Sequence, residues 1–519
     1  MRSFLSRAFL LVVVFLTTLP LAAQNLEIHV IDVGWGLSVL VKGPNGTTVL
    51  MDAGDTGKGT AYVVPYLKSI GIQPANGLDY TIVSHQHCDH VGGMDEVVNA
   101  GYNVHTANYY NGSTNTSSCV TGWNTAAATT TAGSPTAMPV GTVINLGNGA
   151  TLTCVARNGS IIGGGTVSVS DENDRSIAVL VKYGRFDYLW AGDLGGGSDA
   201  CTGRSTTQTD VETSVINAIS PGGANPLITA GGIDVLNVNH HGSESSTNPT
   251  YFNKAAPALA VIGVGDGEST GWDLPRIDVV DHVLRAGSTS CVTAPAAFVL
   301  QTEEGNPGST NMSTTGYCVG NIKITTDGTS TFTADADGLV HQGPNEKTAA
   351  GLPLTFNNDD AIDISGYQLV QANATLTYTV PSGTLIPSHG YVVVGRNATK
   401  AAFESFWGIT LASNVVYINS ADTMPQINGS ETYTLKNAGG TVIDGATVAM
   451  DASGGKSLQR ANCGAVGTAG TWNKVASTSG NPGTGGLTGC AKGVFINEFS
   501  DALGTGNFVY EFVELFNDN

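Results

Sequence analysis

Short runs of alternating apolar and polar residues, punctuated by Gly, Asn, Asp and Pro, dominate the first two-thirds of the chain. The alternation at Leu26–Ile31, Ser38–Val41 and Thr48–Met51 predicts three strands, with turns at Asp32-Val33-Gly34 and Pro44-Asn45-Gly46. Ala61 to Ile70 carries Val63, Val64 and Leu67 on one face and predicts a helix. Leu78, Tyr80, Ile82 and Val83 predict a buried strand, and Met94–Asn99 starts another helix. Residues 105–150 are rich in Thr, Asn, Ser and Gly and read as a long loop over a site, with a little helix. Strands are expected at 151–155, 176–183 and 186–190, the last ending in Ala191-Gly192-Asp193. A helix at 210–219 precedes a strand at 233–238, which ends in Asn239-His240-His241-Gly242-Ser243. A strand at 259–264, a helix at 277–286 and strands at 322–326 and 331–334 complete this part. Strands that alternate with helices predict an α/β layered domain, with polar residues gathered where strands end.

The pattern changes after a linker at 341–351. Residues 352–519 show many short strands, turn residues every eight to twelve positions and one helix near Ala401–Trp407, which together predict an all-β sandwich. At the other end, Arg2 and Arg7, the apolar run Phe9–Leu21 and the small pair Ala22-Ala23 read as a signal peptide over residues 1–23. The expected organisation is therefore leader 1–23, a catalytic-type domain 24–340, linker 341–351 and a β-sandwich 352–519. The mature protein is expected to be secreted, extracellular or periplasmic, without a membrane span.

Composition narrows the partners. The chain has 42 Asp+Glu against 22 Lys+Arg, a formal charge of −20, which argues against a broad basic groove for nucleic acid. A nucleic acid is admitted as substrate only, because bound divalent ions supply local positive charge. Eight cysteines in an exported chain predict disulfides. Cys463 with Cys490, then Cys291 with Cys318, are the expected pairs, while the partners of Cys119, Cys154 and Cys201 stay open. Cys88 is expected to be a small packing residue.

The chemistry concentrates in Ser84-His85-Gln86-His87-Cys88-Asp89-His90, where three imidazoles and a carboxylate follow a buried strand. His85 and His87, two apart, point the same way from a strand end, and Asp89 and His90 can face a second ion as the chain curls into a helix. These are ligand types that zinc and similar first-row ions accept. Asp193 and the His240/His241 pair also end strands, and so does Asp52.

This set resembles the metallo-β-lactamase superfamily over about residues 26–340. It is most similar to the branch that includes the competence protein ComEC and phosphorylcholine esterases. The residues that carry the closer match are Ile31-Asp32-Val33-Gly34, Tyr66–Ile72, Leu78-Asp79-Tyr80, the histidine motif, Trp190–Asp193 and His240–Ser243. The resemblance implies an αβ/βα sandwich that holds two divalent ions, zinc or alternatively manganese or iron. It implies that His85 and His87 hold one ion, that Asp89 and His90 hold the other, that Asp193 bridges them, and that His240 or His241 adds a ligand. Asp52, Asn173 and Ser243 would support these from behind. The chain departs from the family in lacking a histidine near Val155–Asn158, which leaves one coordination position open or filled by the second residue of the 240/241 pair. It departs again at Trp35-Gly36-Leu37 and Trp272–Pro275, and both changes bear on substrate identity.

The implied activity is hydrolysis by a metal-activated water, with Asp89 exchanging the proton. A small or polymeric phosphoester is the expected substrate. The alternatives are a lactone, amide or β-lactam, or a non-catalytic surface or adhesion protein that keeps a vestigial metal fold. The C-terminal part resembles a lamin-tail domain, an immunoglobulin-like sandwich that would bind a surface or another macromolecule. Its signatures stand in permuted order. Ile362–Leu369 and Pro381–Val394 come first, and the opening signature, Ile496–Phe499 with Glu511–Asn517, comes last.

Overall fold

The computed structural model describes residues 25–517 apart from 229–231, 266–271, 287–288, 307–309, 330, 337–351, 359–361, 373–375, 387–389, 413–414, 428–430, 450–455, 487–492, 503 and 505. The leader 1–23 and the linker 341–351 lie outside the described residues. No described helix is long and apolar enough to cross a membrane.

The first domain is built on two sheets packed face to face. One has nine strands in the order Leu354–Asn357, Thr331–Ala336, Ile322–Thr326, Leu26–Val30, Val39–Lys42, Thr48–Met51, Leu78–Ile82, Val104–Tyr110 and Thr136–Ala137. The other centres on Ala150–Arg157, Ala178–Tyr183, Phe186–Trp190, Val235–Asn237, Leu259–Ile262 and Phe298–Gln301. Alternation explains the layering. Ile28, Val39, Val41, Val49 and Ile82 face Leu152, Val179, Val181, Tyr188, Val235 and Val261 in one buried cluster between the sheets. The opposite face of the first sheet buries Leu40 and Leu50 against Val63, Leu67, Met94, Val97 and Trp123 of its helices. The opposite face of the second buries Leu180, Leu189 and Ala260 against Val215, Ile216, Phe252 and Val283. The order is helices, sheet, sheet, helices, the αβ/βα sandwich that the resemblance implied.

Three expectations need correction. Residues 105–150 are not mainly loop, because Val104–Tyr110 is a parallel strand beside Leu78–Ile82, and Ser118–Ala127 is a helix. The polar Asn108 hid the strand. It is buried, donates from Nδ2 to Thr130 Oγ1 at 3.0 Å and to the Gly133 carbonyl at 2.7 Å, and accepts from Thr81 Oγ1 at 2.6 Å. Leu354–Asn357, expected in the C-terminal sandwich, instead pairs with Thr331–Ala336 and extends the first sheet. The cysteine pairing differs too. Cys88 packs against the helix-side cluster as expected but also bonds Cys119, and Cys291 bonds Cys201 rather than Cys318. Cys463 is disulfide-bonded, and its expected partner Cys490 lies outside the described residues.

The C-terminal domain packs a four-stranded sheet against a six-stranded one. Leu369, Tyr433 and Leu435 of the first meet Val392, Val394, Leu458, Ile496, Val513 and Leu515 of the second. The last two strands, Val494–Ser500 and Phe512–Asn517, lie inside the six-stranded sheet between Lys456–Arg460 and Tyr391–Gly395. The permuted order of the signatures thus corresponds to strands that fill an interior slot.

Those two strands place Glu498 directly opposite Glu514, and both carboxyls are fully buried. Asn497 Nδ2 donates to Glu514 at 2.7 Å, and the backbone of Gly483 and the hydroxyl of Ser457 donate to Glu514 and Glu498 respectively. Burial pushes Glu498 up to about 7. Burial and the neighbouring Glu498 charge push Glu514 well above the carboxylate range. A raised acid binds its proton more tightly when folded. Its stabilising effect is therefore complete below the ordinary carboxylate pKa and is lost as pH rises through the folded value. The melting temperature of the C-terminal domain should fall by several degrees between about pH 5 and pH 8, and Glu514→Gln should flatten that slope. Calorimetry of the full chain reads it, and a wild-type melt independent of pH in this window would contradict it.

Candidate metal centre

The candidate ligands and Asp52 lie just beyond the carboxyl ends of strands. Asp52 follows Thr48–Met51, the histidine motif follows Leu78–Ile82, Asp193 follows Phe186–Trp190, and His240-His241 follow Val235–Asn237. These strands run parallel within their sheets, so their ends open on one edge of the sandwich. Gly192 permits the approach of the two sheets there. Its φ is +53°, and a Cβ in its place would lie 2.5 Å from Ser84 Cβ.

The ligand-type atoms fall into two sets that share Asp193. In the first, His85 Nε2 lies 3.0 Å from His87 Nδ1 and 3.8 Å from Asp193 Oδ2, with His240 Nε2 3.6 Å from the same oxygen. In the second, Asp193 Oδ1 lies 3.2 Å from His90 Nε2 and 3.7 Å from His241 Nε2, and Asp89 Oδ2 lies 3.8 and 3.6 Å from those two nitrogens. One atom from each of Asp89, His90, Asp193 and His241 lies within 4.8 Å of the others. The structure thus brings together all seven residues of the expected set, and it sends His240 to the first group and His241 to the second. The first group thus draws its third imidazole from His240, with none from Val155–Asn158.

Hydrogen bonds behind the imidazoles fix which nitrogen faces inward. Asp52 Oδ2 accepts from His90 Nδ1 at 2.8 Å. Ser84 Oγ donates to the same Asp52 oxygen at 2.7 Å, which leaves it to accept from His85 Nδ1 at 3.0 Å. The Gly263 carbonyl, which can only accept, takes the Nδ1 proton of His241 at 2.8 Å. In their neutral forms, the rings of His85, His90 and His241 would therefore present Nε2 lone pairs to the centre. His240 Nδ1 shares a hydrogen bond with Ser245 Oγ at 2.8 Å, and Ser245 is held in turn by Ser243 Oγ at 3.0 Å. Asn173 Nδ2 reaches His240 Nε2 at 3.4 Å. Asp52, Ser243 and Asn173 thus stand behind or beside the cluster. Orienting partners of this kind accompany imidazoles that bind metals.

Lone pairs facing carboxylates call for positive charge. His90 Nε2 and His241 Nε2 lie only 3.3 Å apart, and Asp193 Oδ1 is buried and accepts no hydrogen bond. Burial opposes charging His90 and His241, yet the Asp193 and Asp89 carboxylates override it and raise both above the ordinary imidazole value. Burial and the neighbouring His90 hold His85 well below it. Burial would raise Asp193, but His90, His240 and His241 hold it well below the usual carboxylate range. The donor set, two oxygens of one shared carboxylate among five imidazoles and a second carboxylate, fits a pair of divalent cations.

The cleft above measures about 560 Å³ and is lined by Trp35, Asp55, Asp171, Thr206–Gln208, Glu244 and Trp272, with no Lys or Arg among the described residues of its wall. Trp35 stacks on His241 with ring centroids 5.8 Å apart. The sequence reading missed three supports. Glu172 Oε1 accepts from Gln86 N, Asn111 Nδ2 and Ser113 Oγ at 2.7–2.9 Å and anchors the 111–113 turn to the histidine motif. The Cys88–Cys119 bridge ties that motif to helix Ser118–Ala127. Glu212 is the third. Only the Glu172–Arg175 acidic and polar run adjoining Asn173 gave a signal for any of them.

Residues 47–221 match the profile of the beta-lactamase superfamily domain, and residues 337–449 match that of the lamin tail domain. The fold and the site thus define a metallo-β-lactamase-type domain. The chain joins that domain, in one polypeptide, to a lamin-tail domain of immunoglobulin-like β-sandwich form. It is 24% identical over 291 residues to Recombination protein 2 of Haemophilus influenzae, an alignment that covers 54% of this chain and 29% of that protein. The chain therefore spans less than a third of that relative. Among solved structures it is similar to the metallo-β-lactamase fold protein YhfI of Bacillus subtilis, at 11% identity and TM-score 0.30, covering 47% of this chain and 87% of that one. It is also similar to a metallo-β-lactamase of Cronobacter sakazakii, at 20% identity and TM-score 0.23, covering 35% and 67%.

Proposed function

We propose that this protein is an exported hydrolase that uses two divalent metal ions to cleave phosphoester bonds. The observation that carries the reading is the division of the ligand atoms into two sets sharing Asp193. His85, His87, His240 and Asp193 would hold one ion, and Asp89, His90, His241 and Asp193 the other. Bound there, the pair would acidify water and withdraw charge from the reacting phosphoryl oxygen. Zinc suits the imidazole-rich first set, and manganese or iron suits the same geometry.

The chain's own residues do the rest. Asp89 keeps about a fifth of its side chain open to the cleft, whereas Asp193 is closed off, so Asp89 is the carboxylate placed to take a proton and return it to the leaving group. Trp35 covers His241 and shields the second set from solvent. Likeness to a protein named for recombination supports phosphodiester chemistry over acyl chemistry. The acidic wall of Asp55, Asp171 and Glu244 disfavours a long polyanion and favours a small ester whose reacting group carries its only negative charge. The disulfides Cys88–Cys119 and Cys201–Cys291 suit an oxidising compartment outside the cytosol. The lamin-tail domain serves attachment to a surface or another macromolecule.

Purified protein should hold two ions per chain by elemental analysis. It should hydrolyse bis-p-nitrophenyl phosphate, with nitrocefin turned over at least about 100-fold more slowly. Protein without metal, or a preference for nitrocefin, would overturn the proposal.

A further inference from the structure

Helix Glu212–Ile219 begins with a carboxylate that no solvent reaches and that touches neither ligand set. Its oxygens are spent on one loop. Oε1 accepts from Asn239 Nδ2 and from the Thr247 amide, both at 2.6 Å, and Oε2 accepts from the Asn248 amide at 2.9 Å. Asn239 immediately precedes the histidine pair, and Thr247 and Asn248 follow Ser245, the partner of His240 Nδ1. Glu212 therefore ties the two ends of the 239–248 loop to each other.

Arg204 works on the same backbone from its carbonyl side. Its Nη1 donates to the Ser246 carbonyl at 2.6 Å and to that of Thr247 at 3.4 Å, while its Nε pairs with Asp199 at 2.7 Å. The loop between these grips is strained. His240 and His241 each have φ of +52°, and Thr247 has +54°. Residues other than glycine stay in this region only where their surroundings over-determine it. The consecutive left-handed residues are what turn His240 towards one set and His241 towards the other. Burial pushes the Glu212 carboxyl up to about 7, so the protein keeps an acid here against a desolvation cost.

The geometry points to Glu212 as a positioning residue that, opposite Arg204, closes the 239–248 loop and thereby delivers one imidazole to each ion. This rests on the two-ion reading above. Its signature is that one substitution outside both ligand sets weakens both sites at once.

The test uses the full-length chain as Glu212→Ala, Glu212→Gln and, as a control in the core of the same helix, Val215→Ala. Zn²⁺ binding is measured by equilibrium dialysis, amide exchange of 239–248 is measured on metal-free protein, and thermal melts calibrate stability. Wild type should bind two ions. Glu212→Ala should weaken both by about 10–100-fold, the range seen when an outer partner is lost, and should speed exchange across 239–248. Glu212→Gln, which keeps one acceptor oxygen, should fall between. Val215→Ala should melt earlier yet bind both ions as wild type does. Glu212→Ala with wild-type affinity for both ions would overturn the assignment while leaving the two-ion reading intact. So would a Val215→Ala variant whose affinity falls in step with its melting temperature. A wild-type protein that takes up no ion would instead overturn the reading beneath it.

Discussion

Asp193→Ala is expected to abolish metal binding at both positions and to lower kcat/KM for bis-p-nitrophenyl phosphate by roughly 10³-fold or more, beyond the 10–100-fold that loss of an outer partner costs. The reason is geometric. Every other candidate ligand serves one set, whereas Asp193 places Oδ2 near His85 and His240 and Oδ1 near His90 and His241. Removing it leaves five imidazoles without the carboxylate that draws cations between them. Elemental analysis should fall from two ions towards none. His87→Ala, which touches only the first set, should retain about one. A purified Asp193→Ala protein that kept two ions, or hydrolysed at the wild-type rate, would mean that the shared carboxylate does not organise the centre.

Much of this centre is legible from sequence because its parts are local. The spacing of His85, His87, Asp89 and His90 follows from a strand that runs into a helix, and the apolar run before it marks the strand. Asp193 and His240-His241 are also found by asking what ends each buried run. Which imidazole serves which set is not legible, because the answer lies in two left-handed φ angles that no local pattern signals. The supports are hidden for a different reason. Glu212 reads as an ordinary first-turn acid, and only the folded chain shows its carboxylate buried against Asn239, Thr247 and Asn248. Two of the disulfides were hidden in the same way. Cys88 meets Cys119 across two helices, and Cys201 meets Cys291 across 90 residues, so spacing along the chain did not reveal these two pairs. Composition misled at 105–150, where a buried Asn satisfied by its neighbours made a strand look like a loop.

The lamin-tail domain gives the second large effect. Deleting residues 494–519 is expected to unfold that domain while the metal centre keeps its ions and its activity. Val494–Ser500 and Phe512–Asn517 are interior strands of the six-stranded sheet, so their loss leaves Tyr391–Gly395 and Lys456–Arg460 each without a partner on one side. It also removes Phe495, Ile496, Phe499, Phe512, Val513, Leu515 and Phe516, all buried. At about 1.5–3 kcal/mol for each buried side chain, the loss is roughly 10–20 kcal/mol. A whole domain is stable by only about 5–15 kcal/mol, so no rearrangement of the remaining strands offsets it. The first domain should be spared, because its two sheets and their helices form buried clusters that contain none of the deleted residues. Limited proteolysis reads the outcome directly. The truncated chain should be digested back to near residue 358 and leave a resistant, metal-loaded fragment that includes Leu354–Asn357, the strand that extends the first sheet. A truncated protein whose residues 362–486 still resist protease would show that the last two strands are an appendage, and the permuted sandwich would have to be abandoned.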